Sequence, residues 1–254
     1  MNRIVVKVGT NILTTANREL DLNNLRQLTH QMAQVAQSTE YELVLVSSGA
    51  IICGRQVLNI TCQSIPEKQA AASVGQPLLL KEYSLFFNQQ GFHVGQILLT
   101  QDGLENPERK AHALDTIQTL LAKKVIPIIN ENDSVATDEI QFGDNDQLAC
   151  QVAQLIQADL LILLSDIDGV YTQPPSTNSD AELISTLKEL SPELLTTLSS
   201  TSIGPGTGGI KSKVIAAEKA AKSGIRTVIA NGRSSSIILD IIQNKPVGTT
   251  FLPS

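Results

Sequence analysis

Aromatic residues are scarce in this sequence, which has no tryptophan, five phenylalanines and three tyrosines. A surface that stacks unpaired bases needs more rings than this, so a single-strand nucleic-acid platform is excluded. Basic residues are also in the minority, since 19 Lys and Arg stand against 25 Asp and Glu for a net charge of −6. Phosphate backbones and anionic membranes are bound through Lys and Arg, so neither partner is predicted.

Cysteine and histidine are equally rare, with three residues of each. An odd cysteine count without C-x-x-C spacing excludes a disulfide framework, and three scattered histidines cannot complete a zinc site. No apolar stretch approaches the roughly 18 residues of a transmembrane helix, and the first apolar run is too short for a secretion signal. We therefore expect a cytoplasmic protein.

Short runs of Val, Ile and Leu alternate with longer amphipathic segments along the chain. Residues 4–6 and 125–129 are typical of buried strands, whereas the apolar spacing predicts helices over 22–35 and about 78–90, the first capped by Asp21. Continuously apolar strands separated by helices indicate a mainly parallel sheet covered on both faces. The sequence thus predicts one α/β domain without internal repeats.

Four predicted strands end in polar or glycine-rich turns, at residues 7–10, 47–50, 130–133 and 165–169. Each turn alone fits an ordinary loop. Ligands of parallel sheets bind outside the carboxyl ends of the strands, so four such turns at one edge favour a binding site.

Lys7 stands inside the first apolar strand, where a buried lysine would need a partner. It either extends to solvent from an edge strand or faces a phosphate together with nearby glycine amides. The strand pattern does not decide between these two interpretations.

A glycine cluster at 204–209 precedes a predicted helix over about 210–221, with Lys211 and Lys213 in its first turn. Amide groups at a glycine-rich helix start bind anions, which favours phosphate binding over a flexible lid. The cluster contains G-x-G-x-x-G, but no strand precedes it and the strand that follows ends without an acid, so dinucleotide binding is not predicted. Ile210 stands where a Walker A loop requires glycine.

Carboxylates are frequent in the same regions, with Asp133 in one turn and Asp144 and Asp146 at the start of a helix. Asp144 also fits an ordinary helix cap. No His, Cys or Ser is placed as a nucleophile or a general base. Attack of an anionic carboxylate on a phosphoryl group needs positioning and charge neutralisation rather than a base, and this set of residues matches that chemistry.

In order and spacing, these motifs resemble the glutamate 5-kinases of the amino acid kinase superfamily, from residue 5 to about 251. The segments that carry the resemblance are VVKVGT (5–10), SSGAI (47–51), ASVGQ (72–76), HVGQILLT (93–100), INEND (129–133), FGDND (142–146), SDIDGVY (165–171) and GTGGIKSK (206–213). The resemblance implies the amino acid kinase fold, a three-layer α/β/α sandwich around a largely parallel sheet, as a single domain over 1–254.

The activity that the resemblance implies is ATP-dependent phosphorylation of the γ-carboxylate of L-glutamate to L-glutamyl 5-phosphate, the first step of proline biosynthesis. An N-terminal lobe of about 1–157 would bind L-glutamate, and a C-terminal lobe of about 158–254 would bind ATP with Mg²⁺. Many relatives carry a C-terminal PUA domain, which we expect this form to lack. The resemblance also implies proline as a feedback inhibitor, a glutamyl-phosphate reductase as a partner, and a homo-oligomer, either a dimer or a tetramer.

The resemblance assigns roles to individual residues. Lys7 and Lys213 would neutralise the transferring phosphoryl group, and Asp146 would hold both lysines in place. The implied glutamate-binding residues are Ser48, Gly49, Ala50, Asp133 and Asn145. The implied ATP-binding residues are Lys7, Gly9, Ser165, Asp166, Thr207, Gly208, Gly209, Ile210, Lys211, Ser212 and Lys213. No residue is expected to bind a metal ion directly, because Mg²⁺ in this family is held mainly by the nucleotide phosphates.

Two alternatives are compatible with the sequence. The chain could be another amino acid kinase, acting on N-acetylglutamate, aspartate or carbamate, although acetylglutamate kinases usually have a second glycine in the first motif. It could also be a catalytically silent sensor of proline or glutamate, a class that would have lost Lys7, Lys213 or Asp146.

Overall fold

The computed structural model describes residues 2–136, 145–175, 177–200 and 209–253, apart from the side chains at 199 and 200. Thr207 and Gly208, which the resemblance assigns to ATP binding, lie outside the described residues, as does Asp144. The strands are β1 (Asn2–Val8), β2 (Tyr41–Ser47), β3 (Val94–Leu99), β4 (Ile126–Glu131), β5 (Leu160–Ser165), β6 (Thr186–Leu187), β7 (Arg226–Asn231) and β8 (Thr249–Phe251). The α-helices are α1 (Leu22–Gln37), α2 (Ala50–Leu58), α3 (Ile65–Asn88), α4 (Gln101–Glu105), α5 (Pro107–Ala122), α6 (Asn145–Leu155), α7 (Pro192–Ser200), α8 (Ile210–Ala221) and α9 (Ile237–Ile242).

The described strands form one sheet in the order β3-β4-β2-β1-β5-β7-β8-β6. Neighbouring strands pair in parallel, except that β7 and β8 are antiparallel. Parallel neighbours need long crossover connections, and the helices between the strands supply them. The predicted α/β class with a largely parallel sheet is confirmed.

Alternate residues of the central strands face two separate apolar layers. On β1, Val6 and Val8 belong to the layer formed with α1, α3 and α9, whereas Val5 belongs to the layer formed with α5, α6 and α8. Both faces of the sheet are therefore covered, which explains why its strands are continuously apolar in sequence. The predicted three-layer arrangement is confirmed.

The turns that the sequence analysis selected lie at one edge of the sheet. Strands β4, β2, β1 and β5 are consecutive parallel neighbours, so their carboxyl ends are side by side. The turns after these strands carry the predicted site residues Gly9, Ser48, Asp133 and Asp166. The topology thus brings together four segments that are far apart in sequence.

Helix α3 is longer than the sequence pattern predicted, since it begins at Ile65 rather than near residue 78 and ends at Asn88. Ser64 and Glu67 form a capping box at its start, and Pro66 fits the first turn, where its missing N–H costs nothing. The early turns are rich in small residues, so they lack the leucine spacing on which the prediction depended. Neither α3 nor any other described helix is long and apolar enough to cross a membrane.

Two glycines allow α2 and α3 to cross in close contact. A Cβ atom on Gly54 would lie 1.7 Å from the carbonyl oxygen of Ala71, and one on Gly75 would lie 1.8 Å from that of Ala50. Backbone carbonyls cannot rotate aside as a flexible side chain can, so the crossing requires glycine at both positions. Because α2 begins directly after Gly49, this contact also fixes the turn after β2 against α3.

Replacing Gly54 by alanine is expected to lower the free energy of unfolding by about 3 kcal/mol or more, because the overpacked helices must separate. Gly91→Ala is a suitable control, since its Cβ would meet nothing within 4 Å. That variant should lose only the roughly 1–2 kcal/mol of a left-handed backbone. Urea unfolding of both variants measures the difference, and equal losses would mean that α2 and α3 can move apart without cost.

Candidate active site

Lys7 lies on the central strand β1 with its side chain only 4% exposed. Its Nζ atom is 2.6 Å from Oδ1 of Asp146, in the first turn of α6. Strand β1 is flanked by β2 and β5, so Lys7 is not on an edge strand and does not extend into solvent. The structure therefore excludes the interpretation of Lys7 as a solvent-seeking lysine.

Asp146 joins Lys7 to a second buried lysine. Lys213, in the first turn of α8, places its Nζ atom 3.0 Å from Oδ2 of Asp146, and Ser212 Oγ lies 3.4 Å from the same oxygen. The side chain of Asp146 is fully buried, and that of Lys213 is 7% exposed. We call Lys7, Asp146 and Lys213 the charge triad. Two cations share one anion in it, so it carries one excess positive charge.

Burial by itself would raise the pKa of Asp146, but the ammonium groups of Lys7 and Lys213 outweigh that effect and hold the pKa below its usual range. The carboxylate is therefore ionised at neutral pH. A buried excess of positive charge at a helix start is suited to a phosphoryl group, whose negative charge it would neutralise.

Gly9 provides space beside this charge. Its backbone has an ordinary extended conformation, at φ −80° and ψ 161°, so the residue is not needed for its torsion angles. A Cβ atom at this position would lie 3.3 Å from Nζ of Lys7. Any larger side chain at residue 9 would thus crowd the ammonium group, on the side where the turn after β1 begins.

A buried amide occupies the neighbouring part of the edge. Nδ2 of Asn145 lies 2.8 Å from the carbonyl oxygen of Ser47, 3.0 Å from Oγ of Ser48 and 2.8 Å from Oδ1 of Asn130, so its two hydrogens are shared among three acceptors. Gly49 follows in the left-handed conformation, at φ 104°, and caps α2, whose first residue, Ala50, is buried. Three of the predicted glutamate-binding positions, together with Asn145, therefore surround one turn.

The remaining predicted positions that the structure describes lie along the same edge. Asp133 is half-buried in the turn after β4, and Ser165 ends β5 with its hydroxyl 3.3 Å from Oδ1 of Asp166. On the far side, Gly209 caps α8, whose first turn has Ile210 half-buried and Lys211 exposed, while Ser212 contacts Asp146. The structure brings these residues to one edge, and their roles in binding stay predictions.

The two buried cysteines, Cys53 and Cys150, are not suited to act as nucleophiles. Burial raises the pKa of the Cys53 and Cys150 thiols to about 11, so both stay protonated at neutral pH. Among the described residues, no group of three or more His, Cys, Asp or Glu side chains is gathered in a way that could hold a metal ion. The chemistry of the described edge is thus that of fixed charges and hydrogen-bond donors.

Sequence reasoning missed Arg233, which follows the carboxyl end of β7. Its guanidinium donates to the carbonyls of Asn11 and Thr14, both at 2.8 Å, and contacts Oδ2 of Asp21 at 3.3 Å. Asn11 in turn donates to Oδ2 of Asp166 at 3.0 Å. The position of Arg233 just after an apolar strand could have indicated it, because β7 ends at the same edge as the four selected strands.

These features agree with a match to a known family. The model of the amino acid kinase family matches residues 2–231. The chain belongs to the amino acid kinase family. A relative named glutamate 5-kinase, from Clostridium tetani, is 43% identical over 253 residues that cover 99% of this chain and 94% of that protein. Another glutamate 5-kinase, from Trichlorobacter lovleyi, is 42% identical over 256 residues that cover 100% of this chain and 68% of that protein.

Two solved structures are similar to this chain in three dimensions. A UMP kinase from Bacillus anthracis has a TM-score of 0.67 at 13% identity, with 100% of this chain and 96% of that chain covered. A UMP kinase from Ureaplasma parvum has a TM-score of 0.65 at 15% identity, with 99% and 98% covered. At such low identity the likeness concerns the fold, which is the one predicted from the sequence.

Proposed function

We propose that this amino acid kinase is a glutamate 5-kinase, which transfers the γ-phosphoryl group of ATP to the γ-carboxylate of L-glutamate and starts proline biosynthesis. The observation that carries the proposal is the charge triad, in which two buried ammonium groups share one carboxylate at the carboxyl ends of the strands. Relatives named glutamate 5-kinase, more than 40% identical over almost the whole chain, support glutamate as the acceptor.

The mechanism follows from charge rather than from proton transfer. A γ-carboxylate is already anionic at neutral pH, so no general base is needed to activate it. One of its oxygens attacks the γ-phosphorus of ATP, and the bond from that phosphorus to the bridging oxygen of ADP breaks. Lys7 and Lys213 would stabilise the charge on the phosphoryl oxygens, while Asp146 keeps both ammonium groups in place.

We propose that the two substrates meet over this triad. Ser48, Gly49, Ala50, Asp133 and Asn145 would hold glutamate in the N-terminal lobe of about 1–157. The C-terminal lobe of about 158–254 would hold ATP through Ser165, Asp166 and the start of α8. Gly9 leaves the space beside Lys7 through which phosphate oxygens could reach the ammonium group.

Magnesium enters this proposal through the nucleotide. The described edge offers cationic and amide groups that fit a polyphosphate chain, so Mg²⁺ would be held by ATP and would neutralise part of its charge. The triad would then meet a phosphoryl group that is already partly shielded. Feedback inhibition by proline, a reductase that consumes the acyl phosphate, and a dimer or tetramer belong to the same proposal.

Arg233 is expected to support the nucleotide side of the site. Arg233→Ala removes the hydrogen bonds that hold the turn after β1. We expect Asn11 in that turn to shift and its hydrogen bond to Asp166 to weaken. We expect KM for ATP to rise roughly three- to tenfold, the effect of losing one or two such bonds, with KM for glutamate little changed. Arg226→Ala, at the opposite end of β7, is the control, and the same change in both variants would argue against this role.

The proposed activity is tested by trapping its product. Purified protein is incubated with Mg²⁺-ATP, hydroxylamine and one acceptor at a time, namely L-glutamate, L-aspartate, N-acetyl-L-glutamate or UMP. Hydroxamate and ADP in equal amounts are expected with L-glutamate alone. Hydroxamate with another carboxylate, or UDP with UMP, would replace the proposed substrate, and no ADP above the acceptor-free background would favour a sensor.

A further inference from the structure

Gln76 contacts the site from helix α3, outside the residues that the resemblance assigns to it. Its Oε1 atom accepts a hydrogen bond of 2.6 Å from Nδ2 of Asn130, the penultimate residue of β4. Asn130 is buried and in turn contacts Asn145. The glutamine is therefore two hydrogen bonds away from a predicted substrate-binding residue.

The direction of this hydrogen-bond chain is fixed by backbone groups at both ends. The N–H of Glu131 donates to Oδ1 of Asn130 at 2.9 Å. The atom of Asn130 that faces Gln76 is therefore the nitrogen Nδ2. The carbonyl of Ser47 accepts from Asn145 at 2.8 Å, so that contact must be made by the nitrogen Nδ2. Neither amide can be reversed without placing two acceptors or two donors against each other.

Gln76 is the last acceptor of the chain. Asn145 donates to Asn130, and Asn130 donates to Gln76, which makes each bond strengthen the next. With the nitrogen of Asn145 held by Ser47, Ser48 and Asn130, its oxygen Oδ1 is the polar atom on the other side of the amide. That atom accepts hydrogen bonds, as an ammonium group of a substrate requires.

We propose that Gln76 is a positioning residue for the acceptor substrate, since it holds Asn130 and thereby keeps the acceptor oxygen of Asn145 available to the substrate's α-ammonium group. The inference rests on the proposed function, because it takes a free amino acid as the substrate. Gly75 contributes to the same arrangement, because its contact with Ala50 holds α3 close enough for Gln76 to reach Asn130.

The test compares two replacements of Gln76 that differ in hydrogen bonding but little in size. Methionine removes the acceptor, so the buried amide of Asn130 loses its partner, whereas glutamate retains an acceptor oxygen. Asn88→Ala is the matched control, since it removes an exposed amide of the same helix that contacts only Ser84 within the described residues. Hydroxamate formation with varied L-glutamate and with varied ATP gives both KM values and kcat.

For Gln76→Met we expect KM for L-glutamate to rise about tenfold, as for a buried donor left without its acceptor. KM for ATP and kcat should stay within about threefold of the wild type, because the triad is untouched. Gln76→Glu should have a lower KM for glutamate than Gln76→Met, and Asn88→Ala should match the wild type.

Three results would overturn the inference. KM for glutamate unchanged in Gln76→Met would mean that Asn145 needs no such support. Equal rises in both KM values would indicate a general structural role. A KM for glutamate in Gln76→Glu at least as high as in Gln76→Met would mean that an acceptor oxygen at residue 76 does not support substrate binding. A wild-type protein without hydroxamate activity on glutamate would instead refute the proposed function, and the inference with it.

Discussion

Replacing Lys7 by methionine is expected to lower kcat about 10³-fold, with little loss of stability. The activity falls because one of the two cations that face the transferring phosphoryl group is gone, and preorganised charges of this kind contribute 10²–10³ or more to the rate. Stability is retained because Asp146 keeps Lys213 as its partner at 3.0 Å. The remaining pair is neutral, so the variant no longer buries an excess positive charge.

Hydroxamate formation and urea unfolding, measured on the same preparation of Lys7→Met, test both halves of this prediction. Lys219→Met, an exposed lysine on α8, is the control for the general loss of a charge and should keep wild-type kcat. A variant that unfolds at much lower urea concentration would make Lys7 a structural residue. Near-normal kcat in a folded variant would remove the triad from the mechanism.

Replacing Asp146 by asparagine is expected to be more damaging, since it should abolish activity and also destabilise the fold. The two buried ammonium groups would both lose the carboxylate that they share, and breaking a buried ion pair in this way costs about 3–5 kcal/mol. Activity should fall at least as far as in Lys7→Met, because neither lysine is then held in place. Lys7 and Lys213 are both almost fully buried, so solvent cannot replace the lost carboxylate.

The stability difference between wild type and Asp146→Asn should depend on pH in a defined direction. The pKa of Asp146 is lowered in the folded protein, so its contribution is fully present above the unfolded value of about 4. The contribution is lost as the pH falls through the lowered folded value, where the protonated wild type comes to resemble the variant. Urea unfolding should therefore give a constant difference from about pH 5 upwards and a shrinking one below about pH 4.

Asp102→Asn is the matched control for this pH dependence. Asp102 pairs with Arg109 at 3.3 Å, but both side chains are largely exposed, so its loss should change stability by less than about 1 kcal/mol. Equal effects of the two substitutions would contradict the account of the triad as a buried, charge-coupled unit. A difference that grows below pH 4 would contradict the lowered pKa.

Much of the fold could be predicted from the sequence because its strands and helices have distinct periodicities. The apolar run around Val5 predicted a strand buried on both faces, and Asp21 was correctly expected to cap the first helix, where its side chain accepts from the N–H of Asn24. The first half of α3 was missed because it packs through small residues, among them Gly75, rather than through leucines. Contacts this close depend on the partner helix, which a local pattern does not contain.

The site was predictable to the extent that strand ends define it. The position of Lys7 beside a glycine turn was compatible with phosphate binding. That Lys7 lies on an interior strand of the sheet follows only from the strand order. The bonds from Gln76 to Asn130 and from Arg233 to Thr14 join residues 54 and 219 positions apart. The end of β7 could have indicated Arg233 as a candidate, but the partner that each of these side chains contacts depends on the assembled sheet, so no spacing along the chain predicts it.

The most direct test of the central claim follows one oxygen atom. Glutamate labelled with ¹⁸O in both γ-carboxylate oxygens is incubated with the protein, Mg²⁺-ATP and hydroxylamine, and the released phosphate is analysed by mass spectrometry. If the carboxylate attacks phosphorus over the charge triad, hydroxylamine then displaces phosphate from the acyl carbon, and each phosphate carries one ¹⁸O. Phosphate without label, released in step with ADP, would mean that water attacks ATP and would contradict the account.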